Sequence, residues 1–127
     1  MVVPAAIVGF PIADETAAAQ AAHQLRARGS AAVVIKRGGH GALALTPDGV
    51  VALPAMPVTA VDTVAAGDAF NAGLAVALAA GQPFAMALRW GLAAGALAVT
   101  RPGAQEAMPT RDEVLNLLAA GHTDPVY

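Results

Sequence analysis

Apolar residues follow the helical period at the front of the chain, where Ala18, Ala21, Ala22 and Leu25 fall on one stripe of residues 14–29. Asp14 can cap that helix by accepting from its first N–H groups, and Gly29 supplies the stop. The period then disappears. Residues 31–36 form a continuous apolar run ending on Lys36, the pattern of a strand buried on both faces. A glycine-rich loop follows, and residues 42–46 and 50–53 then flank Pro47-Asp48-Gly49 as a hairpin. Pro54 and Pro57 mark residues 56–60 as an edge or connecting strand, because proline cannot donate to a ladder.

From Gly67 the pattern is helical again. One helix runs to about Ala80 and stops at Gly81-Gln82-Pro83; a second runs from Phe84 to about Thr100 and is broken by Arg101-Pro102-Gly103-Ala104. Thr110-Arg111-Asp112-Glu113 has capping-box spacing and opens a last helix that ends at Gly121. Helix, strand, hairpin, strand and three helices predict the closing portion of an α/β layered domain rather than a whole one. The run 31–36 calls for a parallel neighbour, and upstream only residues 5–9 offer one. The apolar opening, residues 1–11, lacks a basic n-region, so it reads as the start of something cut short rather than a signal peptide.

Composition sharpens this. The chain has 127 residues, 57% hydrophobic and 13% charged, with much of the apolar content alanine; that suits one domain of closely packed helices. The net charge is −2 and the seven Lys and Arg are scattered, so no basic surface for nucleic acid or an anionic membrane is expected. The longest apolar runs fall short of the ~18 residues of a membrane span. No cysteine is present, which excludes disulfide and thiolate chemistry and fits a cytoplasmic location.

Three segments have phosphate-site character: Lys36-Arg37-Gly38-Gly39-His40-Gly41, the stretch Asp62-Thr63-Val64-Ala65-Ala66-Gly67-Asp68-Ala69-Phe70, and the turn Arg101-Pro102-Gly103-Ala104. The second places small residues and a carboxylate at a helix mouth, where backbone N–H groups attract anions. Plainer roles are open to each residue. Asp68 could be a dipole partner, Asp62 a turn residue, Lys36 a solvated strand end and Arg101 a cap on the preceding helix. Trp90 and Arg89 fit a packing face and its rim, and the three histidines lack metal-ligand spacing.

The stretch from Asp62 to Phe70 resembles the signature DTxGAGDxF of the ribokinase (PfkB-type) carbohydrate kinases, with Ala65 in the first glycine position. The likeness continues through Ala98-Val99-Thr100-Arg101-Pro102-Gly103-Ala104-Gln105, and Lys36 to Gly41 falls where the family carries its nucleotide loop. It implies the C-terminal portion of a three-layer α/β/α fold with an incomplete sheet, in which residues 1–127 are a single partial domain. It covers about the last two-fifths of such an enzyme. The sugar-binding and lid portion and the Asn-x-x-Glu motif that organises Mg²⁺ have no counterpart.

The same resemblance implies roles. Asp68 matches the base that takes the proton of the attacking sugar hydroxyl and the one substrate contact present, and the N–H groups of Ala65, Ala66, Gly67 and Asp68 match the anion hole. Lys36, Arg37, Gly38, Gly39, His40 and Gly41, with Gly67 and Asp68, match the nucleotide site; Leu92 lies where the family often has a polar residue near adenine. The Asp62 carboxylate and the carbonyls of Val64, Ala98, Arg101 and Gly103 match a monovalent-cation site. The implied cofactors are ATP, Mg²⁺ and K⁺, and the partner is a small sugar. Weak or absent activity is expected of the chain alone. The alternatives are a non-catalytic nucleotide-binding module, or an inactive remnant that needs a partner chain, and the partners open to it are a homo-oligomer or a complementing chain.

Overall fold

The computed structural model describes residues 13–120. The chain divides after Leu53 into two compact units. In the first, helix α1 (Glu15–Ala27) begins where expected, because Asp14 Oδ1 accepts from the Ala17 N–H at 2.8 Å. It closes on Gly29, whose φ of 116° suits glycine and whose N–H donates to the Arg26 carbonyl. Strands β1 (Val33–Lys36), β2 (Ala42–Thr46) and β3 (Gly49–Leu53) form an antiparallel sheet in chain order. Val33 faces Leu45 across the first pair, and Ala42 faces Leu53 across the second.

Helix α1 lays Ala18 and Ala22 on Val33, Ile35, Leu43 and Leu45, which form the core of this unit. The strand buried along its whole length is β2, not β1, which buries Val33 and Ile35 while Val34 and Lys36 stay half-buried. The reason lies in the connection. The short loop after Lys36 folds the chain straight back, whereas a parallel neighbour needs a crossover of about a dozen residues or more. Among the described residues β1 is therefore an edge strand paired with β2 alone; residues 5–9, offered as its parallel neighbour, lie outside them. The hairpin turn is tighter than the sequence implies, since Gly49 already pairs with Thr46 and leaves Pro47-Asp48 as the loop. The Thr46 hydroxyl accepts from the Asp48 N–H and donates to the Gly49 carbonyl, so this buried polar side chain is satisfied.

In the second unit residues 54–60 form no strand, contrary to expectation. Pro54 and Pro57 remove two donors, Met56 turns into the core, and the N–H groups of Val61 and Asp62 both reach the Val99 carbonyl, at 2.6 and 3.1 Å. Three helices follow: α2 (Ala66–Ala79), α3 (Phe84–Val99) and α4 (Arg111–Ala120). The turn after α2 is a Schellman motif, with Gly81 at φ 80°, its N–H on the Leu78 carbonyl and the Gln82 N–H on Ala77. The capping box of α4 closes in both directions: the Thr110 N–H donates to Glu113 Oε1 at 3.0 Å, and the Glu113 N–H to Thr110 Oγ1 at 3.2 Å. The predicted end of α4 at Gly121 falls outside the described residues. No helix among those described is long and apolar enough to cross a membrane.

Helices α2 and α3 approach closely because glycines meet backbone. A Cβ built on Gly73 would lie 2.8 Å from the Trp90 carbonyl oxygen, and one on Gly91 would lie 3.1 Å from that of Phe70. Around this contact sit buried alanines, with Trp90 the large side chain among them. Alanine is a better helix former than glycine by about 1 kcal/mol. Overlap with rigid backbone opposes that gain, since overpacking costs about 1–3 kcal/mol. Gly73→Ala is accordingly expected to lower the thermal midpoint followed by Trp90 fluorescence. Gly39→Ala, with nothing within 4 Å of its Cβ position, is the neutral control. A midpoint for Gly73→Ala at or above that of the parent chain would contradict the packing argument.

Candidate active site

The second unit gathers one group of the predicted residues around the entry to α2. Asp62 is half-buried and holds two turns together: Oδ1 accepts from the Val64 N–H at 3.0 Å, and Oδ2 accepts from the Gly103 N–H at 3.2 Å, forty-one positions along the chain. Gly103 stands at φ 90°, a conformation other residues rarely adopt, and this aims its N–H at the carboxylate. Between them lies the C-terminal end of α3. There the Arg101 N–H turns back to the Ala98 carbonyl and the Thr100 hydroxyl to that of Leu97. The last carbonyls of a helix carry the negative end of its dipole. A carboxylate and helix-end carbonyls are the kinds of oxygen donor that a weakly hydrated cation takes, and Asp62 with the turns of Val64 and Gly103 lies at this end of α3.

The entry to α2 is built from small residues. Ala65 is buried at the N-cap position, where no side chain caps the helix, and Asp68 lies exposed in the first turn. The Ala66 N–H closes the turn on the Thr63 carbonyl with a long bond of 3.3 Å. Helix α3 sets the position of this entry, because Gly95 lies under the Ala66 carbonyl and Gly91 under the Phe70 ring. Leu92, expected near adenine, is half-buried on the same helix.

The loop from Lys36 to Gly41 belongs to the first unit. Lys36 ends β1, Arg37 opens the turn, and Gly38–His40 make one turn of 3₁₀ helix. Its backbone bonds run inward: Arg37 N–H to the Gly41 carbonyl at 2.8 Å, His40 to Arg37 and Gly41 to Gly38. Positive φ at Gly38 and Gly41 lets so short a loop reverse the chain. Trp90 is buried and Arg89 half-buried, as expected of a packing face and its rim.

Two features escaped the sequence. One is the glycine contact that seats α2; Gly91 and Gly95 are four apart on α3, a spacing that could have marked a close approach. The other is Glu113, legible as a capping residue but not as the partner of Arg101. Its carboxylate takes both terminal nitrogens of that guanidinium. Arg101 thus serves α4 with its side chain, while only its backbone N–H meets the end of α3.

The Val64 N–H, and after it the Gly103 N–H, hold the Asp62 carboxyl below its ordinary value of 3.8, against a small opposing effect of burial. A depressed carboxylate adds stability above its unfolded pKa and loses it as pH falls through the folded one. Asp62→Asn is therefore expected to lower the urea midpoint at pH 7, with a gap to the parent chain that narrows as pH drops below 3.8. Because the group is solvent-accessible the effect is small. A gap constant from pH 7 to pH 3 would remove the charge from the argument.

A family model described as pfkB family carbohydrate kinase matches residues 5–111. The chain is 38% identical over 112 residues to a ribokinase of Haemophilus influenzae, covering 88% of this chain and 37% of that one. It is 39% identical to a 1-phosphofructokinase of Haloferax volcanii, covering 87% and 36%. The structure of Arabidopsis thaliana ribokinase complexed with ribose and ATP superposes with a TM-score of 0.85 at 32% identity, over 91% of this chain and 38% of that one. The chain thus spans under two-fifths of the length of these relatives. With a ribokinase-like fold and a family match over most of its length, this chain belongs to the pfkB family of carbohydrate kinases.

Proposed function

We propose that this chain is the phosphoryl-transfer part of an ATP-dependent sugar kinase, one partial domain acting in the cytoplasm. The observation that carries the reading is Asp68 in the uncapped first turn of α2, behind a turn held by the Asp62 carboxylate. Asp68 accepts the proton of a sugar hydroxyl as that oxygen bonds to the γ-phosphorus of ATP and the bond to ADP breaks. The N–H groups of Ala65, Ala66, Gly67 and Asp68, at the positive end of the helix dipole, stabilise charge on the transferring group. The long bond of Ala66 to Thr63 is one that such a charge can replace. Lys36 to Gly41 in the first unit, and separately Leu92 in the second, are read as nucleotide contacts from the family likeness.

Asp62 and the carbonyls of Val64, Ala98, Arg101 and Gly103 would hold K⁺, whose charge would help to order the turn ahead of the anion hole. Mg²⁺ belongs to the nucleotide; among the described residues no three His, Asp or Glu stand together to hold it. The acceptor is proposed only as a sugar hydroxyl, since the ribokinase and the 1-phosphofructokinase are matched about equally well. The chain alone is proposed to transfer phosphoryl weakly or not at all, and a complementing chain or segment would supply the acceptor site.

Titration calorimetry with ATP and Mg²⁺ in KCl, paired with an ADP-coupled assay over a panel of sugars, tests this. ATP binding is expected, and Asp68→Asn should leave its affinity nearly intact. With any sugar that supports turnover, the same change should cost roughly 10²–10⁴-fold in rate. Turnover that survives Asp68→Asn would exclude this residue as the base. Binding without transfer to any sugar agrees with this reading of the chain alone and with a nucleotide-binding module alike, and absence of ATP binding rejects both readings.

A further inference from the structure

Glu113 is better equipped than its capping role requires. A capping box is served by glutamine or glutamate alike, since either oxygen can accept from the N-cap N–H. Here Oε1 accepts from the Thr110 N–H at 3.0 Å and also from Arg101 Nη1 at 3.4 Å, while Oε2 takes Arg101 Nη2. The pair is about one-third exposed on each side, at 31% and 36%, and ion pairs of that exposure add little to stability. Nor is it needed to dock α4: Val114 is buried in the core, and the Arg111 guanidinium sits 5.4 Å from the centre of the Trp90 ring.

What the pair does follows from where Arg101 stands. Its backbone lies in the turn whose Gly103 N–H holds Asp62, and its own carbonyl is one of the proposed cation donors. A permanently charged guanidinium beside that turn would repel any cation drawn to it. The fork of Glu113 neutralises this charge and fixes its direction toward α4. We infer that Glu113 is a positioning residue for the cation site: through Arg101 it sets the turn 101–103 and screens that site from the arginine's charge. The inference rests on the cation site proposed above. A continuous path of hydrogen bonds and chain supports it, from Glu113 to Arg101, along the turn to Gly103, and through Asp62 to Val64 ahead of α2.

The thermal midpoint of the full chain, followed by its single tryptophan Trp90, is measured against KCl with choline chloride holding ionic strength constant. The parent chain is expected to gain stability in KCl. Glu113→Gln, which keeps the cap, should match it in choline chloride but need about tenfold more K⁺ for half of the gain, a coupling of ordinary size between linked sites. In an Arg101→Met background the same Glu113→Gln change should add no further shift. Equal losses in both salts, with half-saturation unchanged, would show a merely structural glutamate and overturn the inference. So would an undiminished effect of Glu113→Gln in the Arg101→Met chain. A parent chain indifferent to KCl would instead overturn the cation site itself, and this inference with it.

Discussion

The close contact of α2 with α3 is the constraint from which the second unit is built. Gly73 admits the Trp90 carbonyl, Gly91 admits Phe70, and Gly95 lies under the first carbonyl of α2. Where backbones meet without intervening side chains, neither helix can slide or rotate by much without a clash. The entry to α2 and the C-terminal end of α3 are thereby set with respect to each other before any polar group takes part. A looser, leucine-filled contact would bury more apolar area and place both helix ends less sharply.

On that frame a single carboxylate joins two turns distant in sequence. Asp62 accepts from Val64 beside it and from Gly103 beyond α3, while its own N–H, with that of Val61, is tied to Val99. The result is a carboxylate, a set of helix-end carbonyls and a helix entry carrying Asp68, all ordered by backbone hydrogen bonds. Backbone groups are suited to this because they bring no rotamer freedom of their own. In a family whose chemistry is phosphoryl transfer, such preorganised dipoles are the expected means of stabilising moving charge.

Helix α4 extends the same system outward. Thr110 and Glu113 would cap any helix, yet the reach of Glu113 to Arg101 links this cap to the turn that holds Asp62. The Arg111–Trp90 contact and Val114 attach α4 to the core independently. Stability and the fine position of the turn can therefore be altered separately, which is what makes the role of Glu113 open to experiment.

By itself the sequence determined whatever depends on neighbours along the chain. The Asp14 cap, the Gly81 stop, the Thr110–Glu113 box and the helical character from Gly67 are local patterns of donors, acceptors and permitted φ, and each stands where its residues place it; the hairpin does so to within one residue of its turn. The family resemblance was legible for the same reason, in a run of consecutive residues. Tertiary structure alone decided what depends on residues far apart. A continuous apolar run could not tell β1 from β2 as the fully buried strand, because burial is set by which strand lies in the middle of the sheet. Residues 56–60 carried a strand's apolar content but found no ladder; the pairing of Asp62 with Gly103 arises only once α3 is seated against α2, and that of Arg101 with Glu113 only once α4 folds back on the end of α3.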